Sequence, residues 1–383
     1  MKKSDTRSIK ANNIALLYEC LRNGAHSRAQ IVQNSGLSKA TVTAIVGELI
    51  ADGALRESGL SEAGGVGRPR TTLELVKDYR YAIGMTLHRR RASVNLINLA
   101  YEIVDTADFA MRDFSTPEQL LDTLYDTAMR LCQLHDVKAE QLIGIGVSTP
   151  GPVDYRSGII HQPPGLTLLH HFPVREYLSN RCLIPVYLDH DSTLLAMREG
   201  QLRKGDLKNW IFVGISDGIG SAFFCDGKLY RGNGGYAGEL GHTSIERNGI
   251  PCACGNRGCL ERYISMDALR LHFGFEDYPT VVDRAEQNDA AACEVLDYIA
   301  EMFSHALVNY VNLVNPEAIV LHGELNYKPT LLFSKIERLI SRHSAVAGIR
   351  AVRVLPACMR REDNAAASAA AILEAYFAQK FKQ

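Results

Sequence analysis

The chain has 383 residues, of which 46% are hydrophobic and 22% are charged. This composition is typical of an ordinary globular protein with room for two or three domains. No stretch approaches the roughly 18 consecutive apolar residues of a membrane span, which excludes membrane insertion. The opening residues MKKSDTRSIK lack the apolar segment of a signal peptide, and nine cysteines, an odd number, favour reduced thiols over a disulfide framework. We therefore expect a cytoplasmic protein.

Charge is spread unevenly along the chain, although the formal net charge is only −1. Residues 1–80 carry 12 Lys and Arg against 8 Asp and Glu, whereas the remaining residues carry 30 against 35. A basic segment joined to an acidic body favours contacts with phosphates at one end of the molecule.

Three helices are predicted near the N-terminus. Apolar residues at helical spacing define one face of the first helix: Ile14, Leu17, Tyr18 and Leu21. Residues 27–30 have the form of a capping box that opens a second helix, and the turn at 35–37 has the length that joins the helices of a helix-turn-helix. Ser38 is placed to cap a third helix. The apolar face of that helix comprises Val42, Ile45, Val46 and Leu49.

A two-stranded wing is predicted after the third helix. Residues 54–59 and 71–76 are expected to pair around a glycine-rich tip at 64–67. The third helix presents polar residues from its first turns, as a recognition helix does in the major groove, and arginines beside the tip suit a narrow minor groove. We therefore predict a winged helix-turn-helix domain over residues 1–80, the alternative being a protein-interaction module without a DNA role. The candidate DNA-binding residues are Arg28, Ser38, Lys39, Thr41, Thr43, Arg68 and Arg70.

From residue 81 onward, apolar strands alternate with longer helices, which indicates an α/β architecture. The predicted strands cover residues 81–87, 92–99, 142–148, 185–188, 211–215 and 318–321. Helices are predicted from Thr116 onward and over the alanine-rich residues 364–380.

Residues 237–263 hold a set of side chains suited to a metal ion. They offer one imidazole and three thiolates, from His242, Cys252, Cys254 and Cys259. Tetrahedral Zn²⁺ takes four ligands of these types. Glu239 and Glu261 flank the series, and a rigid loop would fix them as acceptors for sugar hydroxyls. The alternatives are a structural zinc knuckle with two solvated glutamates, or buried cysteines without a metal.

The segments GELGH and CACGNRGCLE resemble the signature of the ROK family, which comprises bacterial sugar kinases and sugar-responsive repressors. This resemblance implies a two-lobed, actin-like (ribonuclease H-like) fold over residues 81–383, with a sugar cleft between the lobes. Lobe 1 would comprise about 81–190 with the C-terminal helix 364–383, and lobe 2 about 191–363 with a zinc loop at 242–259. The resemblance also implies that the four residues above bind zinc. It places the sugar against Asp191, Glu239, His242 and Glu261.

The N-terminal residues resemble the repressors of this family, in SRAQIVQNSGLSKATVTAIVGELIADGAL and in GRPR. Asp191 matches the catalytic base of the kinases, but the segments that hold ATP are altered. Residues 86–90 (TLHRR) replace Asp-x-Gly-Gly-Thr, Asp217 replaces a Thr, and residues 321–324 replace a run of glycines. Loss of one charge-stabilising contact can cost about 10²–10³-fold in rate, so we expect sugar binding without enzyme activity. The arginines at 89–91 are expected to form a solvated turn, the alternative being a site for a sugar phosphate.

These features predict a sugar-responsive DNA-binding transcriptional regulator, a repressor of carbohydrate uptake or metabolism genes that a sugar or sugar derivative releases. It would act in the nucleoid as a homodimer or higher oligomer on double-stranded operator DNA, with a structural Zn²⁺. One alternative is an active kinase that phosphorylates hexoses with ATP. Another is a repressor controlled by a partner such as a sugar-transport protein, because His190 replaces the kinases' Asn. The sugar is not identified, since Gly165-Leu166 replaces the family's Asn-Leu pair.

Overall fold

The structure is a computed structural model, and it describes residues 10, 13–14, 16–18, 20–21, 26–61, 70–203, 205–275, 277–345, 349, 351–360 and 364–380. We call residues 10–75 the N-terminal unit. The described residues between 10 and 21 are helical. They are followed by β1 His26–Ser27, α1 Arg28–Ser35, α2 Lys39–Ala51, β2 Leu55–Ser61 and β3 Arg70–Leu75. The three strands form an antiparallel sheet in the order β1-β3-β2.

Local hydrogen bonds set the helix boundaries of the N-terminal unit as the sequence predicts. The Gln30 backbone N–H donates to Ser27 Oγ at 3.4 Å, and the Ser27 N–H donates to Gln30 Oε1 at 3.0 Å, which completes the capping box. Helix α1 ends at Gly36, whose φ of 69° suits glycine. Ser38 Oγ accepts the Thr41 N–H at 3.1 Å and so caps α2.

The N-terminal elements agree with the pattern of the sequence, with one addition. The predicted apolar faces of the first and third helices are buried, and the two predicted wing strands are present. Strand β1 is new, since two residues are too few to give a pattern. The predicted tip at 64–67 and Arg68 lie outside the described residues, while Arg70 begins β3.

The next elements form the first sheet of the body and its covering helices. They are β4 Tyr81–Leu87, β5 Arg91–Asn98, β6 Ile103–Ala110, α3 Pro117–Leu134, β7 Leu142–Thr149, β8 Val153–Asp154, β9 Ile159–Ile160, α4 Val174–Ser179 and β10 Val186–His190. The five-stranded sheet has the order β10-β7-β4-β5-β6, with β4, β7 and β10 parallel. The carboxyl ends of these three strands therefore meet at one edge, which is where ligands bind in α/β sheets.

The remaining elements comprise a second sheet, the helices around it and the C-terminal helix α11. They are α5 Asp191–Leu202, β11 Trp210–Ile215, β12 Ile219–Cys225, β13 Lys228–Tyr230, α6 Glu261–Ile264, α7 Met266–Phe273, α8 Tyr278–Glu286, α9 Ala290–Val314, β14 Ala318–Gly323, α10 Thr330–His343, β15 Arg353–Pro356 and α11 Asn364–Lys380. The sheet order is β13-β12-β11-β14-β15. Short 3₁₀ helices cover Lys77–Tyr79, Met111–Asp113, Ala139–Gln141, Thr167–Leu169, Leu240–His242 and Glu324–Asn326. Among the described residues, no helix combines the length and the apolar character that crossing a bilayer requires.

The C-terminal helix α11, predicted over residues 364–380, packs directly on the backbone of the first sheet. A Cβ built on Gly146 of β7 would lie 1.8 Å from the Ser368 carbonyl oxygen, and one on Gly84 of β4 would lie 2.2 Å from Ser368 Oγ. Contact this close is possible only because both strand positions are glycines. At these two strand positions the helix therefore leaves no space for a side chain.

The N-terminal unit and the body share one hydrophobic cluster. From the N-terminal helix the cluster includes Ile14, Leu17, Tyr18 and Leu21, and from α11 it includes Ala366, Ala369, Ile372 and Leu373. The Tyr18 hydroxyl donates a hydrogen bond to the Leu99 carbonyl at the end of β5. Because apolar burial is the main favourable term in folding, the N-terminal unit is packed onto the body rather than tethered to it.

We predict that Gly146→Ala lowers the free energy of unfolding by about 3 kcal/mol, because the new methyl group would overlap the backbone of α11. Gly47→Ala is the matched control. A Cβ on Gly47 in α2 meets no atom within 4 Å, so this change should raise the free energy of unfolding by about 0.5–1 kcal/mol. Urea unfolding measures both. Equal stability of the Gly146→Ala variant and the wild type would contradict the close contact.

Candidate metal centre and binding cleft

The four predicted metal ligands converge at one point. The ligand atoms of His242, Cys252, Cys254 and Cys259 all lie within 4.8 Å of one another. Cys252 Sγ is 3.7 Å from His242 Nδ1, and Cys254 Sγ is 3.6 Å from Cys259 Sγ. A tetrahedral zinc with Zn–S bonds of about 2.3 Å separates its sulfurs by about 3.8 Å. The donor set and its spacing therefore fit Zn²⁺.

Two glycines and a set of backbone hydrogen bonds shape this loop. Gly255 and Gly258 have φ of 91° and 71°, the left-handed region that favours glycine, and a Cβ on Gly258 would lie 1.8 Å from the Glu246 carbonyl oxygen. The Cys252 N–H donates to the Asn256 carbonyl at 2.9 Å, which closes the turn. The predicted Gly-Asn-Arg-Gly turn thus brings the sulfurs together.

Two of the three thiols in this centre resist ionisation unless a cation is among them. Burial and the neighbouring thiols Cys254 and Cys252 together raise the pKa of Cys259 to about 12, and burial raises the pKa of Cys252. A bound divalent cation offsets both effects, because it stabilises thiolates directly. The chemistry of the donor set therefore favours a metal-bound state.

A pair of charges lies at the carboxyl end of β10. Asp191 Oδ1 is 3.0 Å from His190 Nδ1. Burial by itself would lower the pKa of His190, but the carboxylates of Asp191 and Glu239 outweigh it and raise that pKa to about 9. Burial likewise opposes ionisation of Asp191, yet the imidazolium holds the pKa of its carboxyl below the usual value. At neutral pH the two side chains therefore form an ion pair.

Glu239 faces this ion pair across a small pocket. The pocket is lined by His190, Thr193, Ser221, Tyr236 and Glu239. A Cβ on Gly151 would lie 2.4 Å from His190 Cδ2 and 3.4 Å from Glu239 Oε1, so the glycine leaves space between the two side chains. Three of the side chains discussed above, His190, Asp191 and Glu239, are thus brought to one end of the cleft.

Glu261, the other flanking acid, lies beside the turn that joins β11 and β12. Its Oε2 accepts the Ile219 backbone N–H at 2.9 Å, which fixes the carboxylate at the start of α6. Its Oε1 is 3.5 Å from Arg89 Nη2, in the turn between β4 and β5. The Arg89 side chain is only 33% exposed, whereas that of Arg90 is 72% exposed. The expectation of a solvated turn therefore holds for Arg90 and is wrong for Arg89.

Sequence reasoning also missed an ion pair between Asp189 and Arg231. Arg231 Nη2 donates to Asp189 Oδ2 at 2.6 Å, and the guanidinium lies 4.0 Å above the ring of Tyr155. Asp189 is buried, and its Oδ2 also accepts the Tyr187 hydroxyl at 2.8 Å. This pair ties the end of β10 to the residue that follows β13. The sequence signal was the first aspartate of the segment LDHD, two positions before Asp191.

The predicted DNA-binding residues differ in their surroundings. Ser38, Lys39 and Thr43 are exposed at the start of α2, whereas Thr41 is half-buried. The Ser38 and Thr41 hydroxyls are 2.8 Å apart, and Thr43 Oγ1 donates to the Lys39 carbonyl at 2.8 Å. Arg28 pairs with Glu57 at 2.9 Å. The exposed Lys39 is therefore the clearest candidate for a phosphate contact among the described residues of α2.

Known proteins resemble the chain over most of its length. It is 28% identical over 355 residues to the xylose repressor of Caldicellulosiruptor bescii, covering 88% of both chains. It is also 28% identical over 357 residues to the DNA-binding transcriptional dual regulator NagC of Escherichia coli, covering 88% of this chain and 87% of that protein.

Solved structures share the fold. A ROK family transcriptional regulator, described as a homologue of the E. coli MLC protein, superposes with a TM-score of 0.77 at 24% identity over 98% of this chain and 99% of that chain. A ROK family glucokinase from Streptomyces griseus, in complex with glucose and AMPPNP, gives a TM-score of 0.60 at 22% identity over 76% and 98%. These likenesses confirm the predicted two-lobed sugar-kinase fold of the body. The ROK family profile matches residues 82–375, well over half of the sequence, and the chain therefore belongs to the ROK family.

Proposed function

We propose that the protein is a sugar-responsive transcriptional regulator, a repressor of carbohydrate uptake or metabolism genes that a sugar or sugar derivative releases from DNA. One observation carries the proposal. The glucokinase covers 76% of the chain, whereas the ROK transcriptional regulator covers 98%. The xylose repressor and the dual regulator NagC each match 88% of the chain. The part of the chain that the regulator covers and the glucokinase does not is about as long as the N-terminal unit. The chain thus resembles the regulators over a length for which the kinase has no counterpart.

Residues 1–80 would be a winged helix-turn-helix domain that binds operator DNA, and residues 81–383 the sugar-binding domain. Helix α2 would enter the major groove with Ser38 and Lys39 first, since both are exposed at its N-terminal end. Arg70, which begins β3, and Arg68, which precedes it in the sequence, would contact the minor groove. Two copies in a homodimer would match a palindromic site.

In the body, Asp191, Glu239, His242 and Glu261 would accept hydrogen bonds from sugar hydroxyls or donate to them. A structural Zn²⁺ bound by His242 and the three cysteines of its loop would hold Glu239 and Glu261 in place. In support, Glu239 immediately precedes the turn that carries His242, and Glu261 follows Cys259 by two residues. Metal and sugar sites would therefore depend on the same loop.

Sugar binding would reach the DNA-binding domain through α5 and α11. Asp191 is the first residue of α5, and Leu194, one turn later, packs in a buried cluster with Ala367 and Ala371 of α11. The neighbouring residues of α11 belong to the cluster shared with the N-terminal unit. A shift of α5 on sugar binding would thus act on a helix that also supports the DNA-binding domain. Such a switch requires that the sugar bind the two conformations with different affinity.

An active sugar kinase is the first alternative, and the cleft argues against it. Asp217, which replaces a Thr of the kinases, is paired with Arg270 at 3.0 Å, and Arg89 lies where the family's glycines would hold phosphate. The lowered pKa of Asp191 also makes it a weaker general base. ATP consumption with a common hexose, abolished by Asp191→Asn, would establish the kinase instead.

Control by a partner protein is the second alternative, favoured by His190 in the position of an Asn. Calorimetry across a panel of sugars and sugar derivatives separates the two proposals. Saturable heat with one of them supports the sugar site. If none of the sugars or derivatives gives saturable heat and operator binding is intact, the result would support a protein partner.

We predict that Leu194→Ala loosens α11 as well as α5. Truncation of a buried leucine costs about 2–5 kcal/mol, so amides of residues 366–373 and 16–21 should exchange with solvent at least about tenfold faster. Hydrogen exchange with mass spectrometry measures this. Leu124→Ala, an equally buried truncation in α3, should leave these amides unchanged. Faster exchange confined to α5 would refute the proposed route.

We predict that Cys254→Ser reduces bound zinc from about one equivalent per chain to near zero, because it removes one of four ligands. The sugar response should be lost with the metal. Metal analysis and calorimetry measure the two effects. Cys358→Ser, another exposed cysteine outside the cluster, should retain both. A zinc-free Cys254→Ser protein with a normal sugar response would show that the metal and the sugar site are independent.

We predict that Lys39→Ala weakens binding to a random DNA duplex about fivefold at 0.15 M salt and lowers the slope of log K against log salt by about 1, the loss of one phosphate contact. Fluorescence anisotropy over a salt series measures this. Lys228→Ala, an exposed lysine of β13, should change neither value. An unchanged slope for Lys39→Ala would exclude α2 from the DNA interface.

A further inference from the structure

The side chain of Arg89 lies in the cleft between the two sheets. A Cβ built on Gly165 would be 3.0 Å from Arg89 Cδ, and one on Gly218 would be 3.5 Å from Arg89 Nη2. Gly165 belongs to the loop after β9, and Gly218 to the turn before β12. The arginine therefore occupies space that two glycines leave open, one on each side of the cleft. A side chain at position 165 would press against it.

The N–H groups of the Arg89 guanidinium have few hydrogen-bond acceptors in this position. Its distance of 3.5 Å to Glu261 Oε1 is well beyond the roughly 2.7–2.9 Å of a charge-assisted hydrogen bond. The second oxygen of Glu261 already accepts the Ile219 N–H. Within the described part of the chain, Arg89 makes no shorter hydrogen bond, and a guanidinium carries five N–H donors. Most of these donors are therefore available to a ligand.

The carboxylates near Arg89 already have other partners. The turn after β4 carries Arg89 and Arg90, and Arg90 Nη2 is 3.5 Å from Asp267 Oδ1. Across from it, Asp217 and Asp267 are already paired with Arg270, at 3.0 and 3.2 Å. Glu261 is the remaining facing carboxylate, held by the backbone. The carboxylates near Arg89 are thus each held by another cation or by the backbone, whereas Asp191 and Glu239, at the carboxyl end of β10, share the cation of His190 and suit hydroxyl donors.

We propose that Arg89 binds an anionic group of the effector, which is therefore a sugar derivative that carries a phosphate or a carboxylate. The planar fork of a guanidinium matches both groups with two parallel hydrogen bonds, and a neutral sugar offers no such partner. The hydroxyls of the sugar would lie toward His190 and Glu239. This inference rests on the sugar-responsive function proposed above and specifies the class of effector.

Calorimetry with matched ligands tests the inference on the zinc-loaded full-length protein. The neutral ligands are D-glucose, N-acetylglucosamine and D-xylose, and the anionic ones are glucose 6-phosphate, N-acetylglucosamine 6-phosphate, D-glucuronate and D-xylonate, with inorganic phosphate alone as a further probe. At least one anionic ligand should bind about tenfold or more tightly than its neutral parent. The phosphate and carboxylate arms identify which anion is recognised.

Arg89→Ala should abolish this preference, so that the anionic ligand binds no more tightly than its neutral parent. Arg91→Ala, which changes an exposed arginine at the start of β5, is the matched control and should keep the preference. Neutral ligands that bind as tightly as anionic ones, or a preference that survives Arg89→Ala, would overturn the inference and leave the sugar-responsive function standing. If no ligand of either class binds, both the inference and the sugar site fail.

Discussion

The structure depends on the contact between α11 and the first sheet. Glycines at positions 84 and 146 let the backbone of α11 approach the strands directly, and the alanines of α11 keep its other faces narrow enough for close packing. One of these faces meets Leu194 of α5, and another meets the N-terminal helix. A single helix thus contacts the sheet, the helix that begins at the cleft and the N-terminal unit. Packed interiors transmit displacement because they contain few voids.

The cleft combines a rigid loop with paired charges. A metal ion would fix the backbone between Glu239 and Glu261, while His190 and Asp191 neutralise each other at the end of β10. Two further ion pairs, of Asp189 with Arg231 and of Arg89 with Glu261, join residues from the two sides of the cleft. The first pair is separated by 2.6 Å, whereas the second is separated by 3.5 Å and is somewhat more exposed. The second is therefore the contact that a ligand can replace at little cost.

Local features were predictable from the sequence, and distant contacts were not. The metal ligands lie within eighteen residues of one another, so their spacing alone indicated that they converge. The capping box at Ser27 and the terminal helix followed from similarly short patterns. Arg89 and Glu261 are 172 positions apart, and only the packing of the two sheets brings them together. Strand β6 was missed because its edge position leaves it without a buried, alternating face. The two-lobed fold came from family resemblance rather than from periodicity.

Selection of genomic DNA fragments by the purified, zinc-loaded protein at about 150 mM salt tests the central claim most directly, since non-specific phosphate binding is weak at this ionic strength. The proposed regulator should recover one palindromic sequence, and genes beside that site should concern a carbohydrate whose derivative releases the protein from it. Weak, salt-sensitive binding without sequence preference would contradict the account.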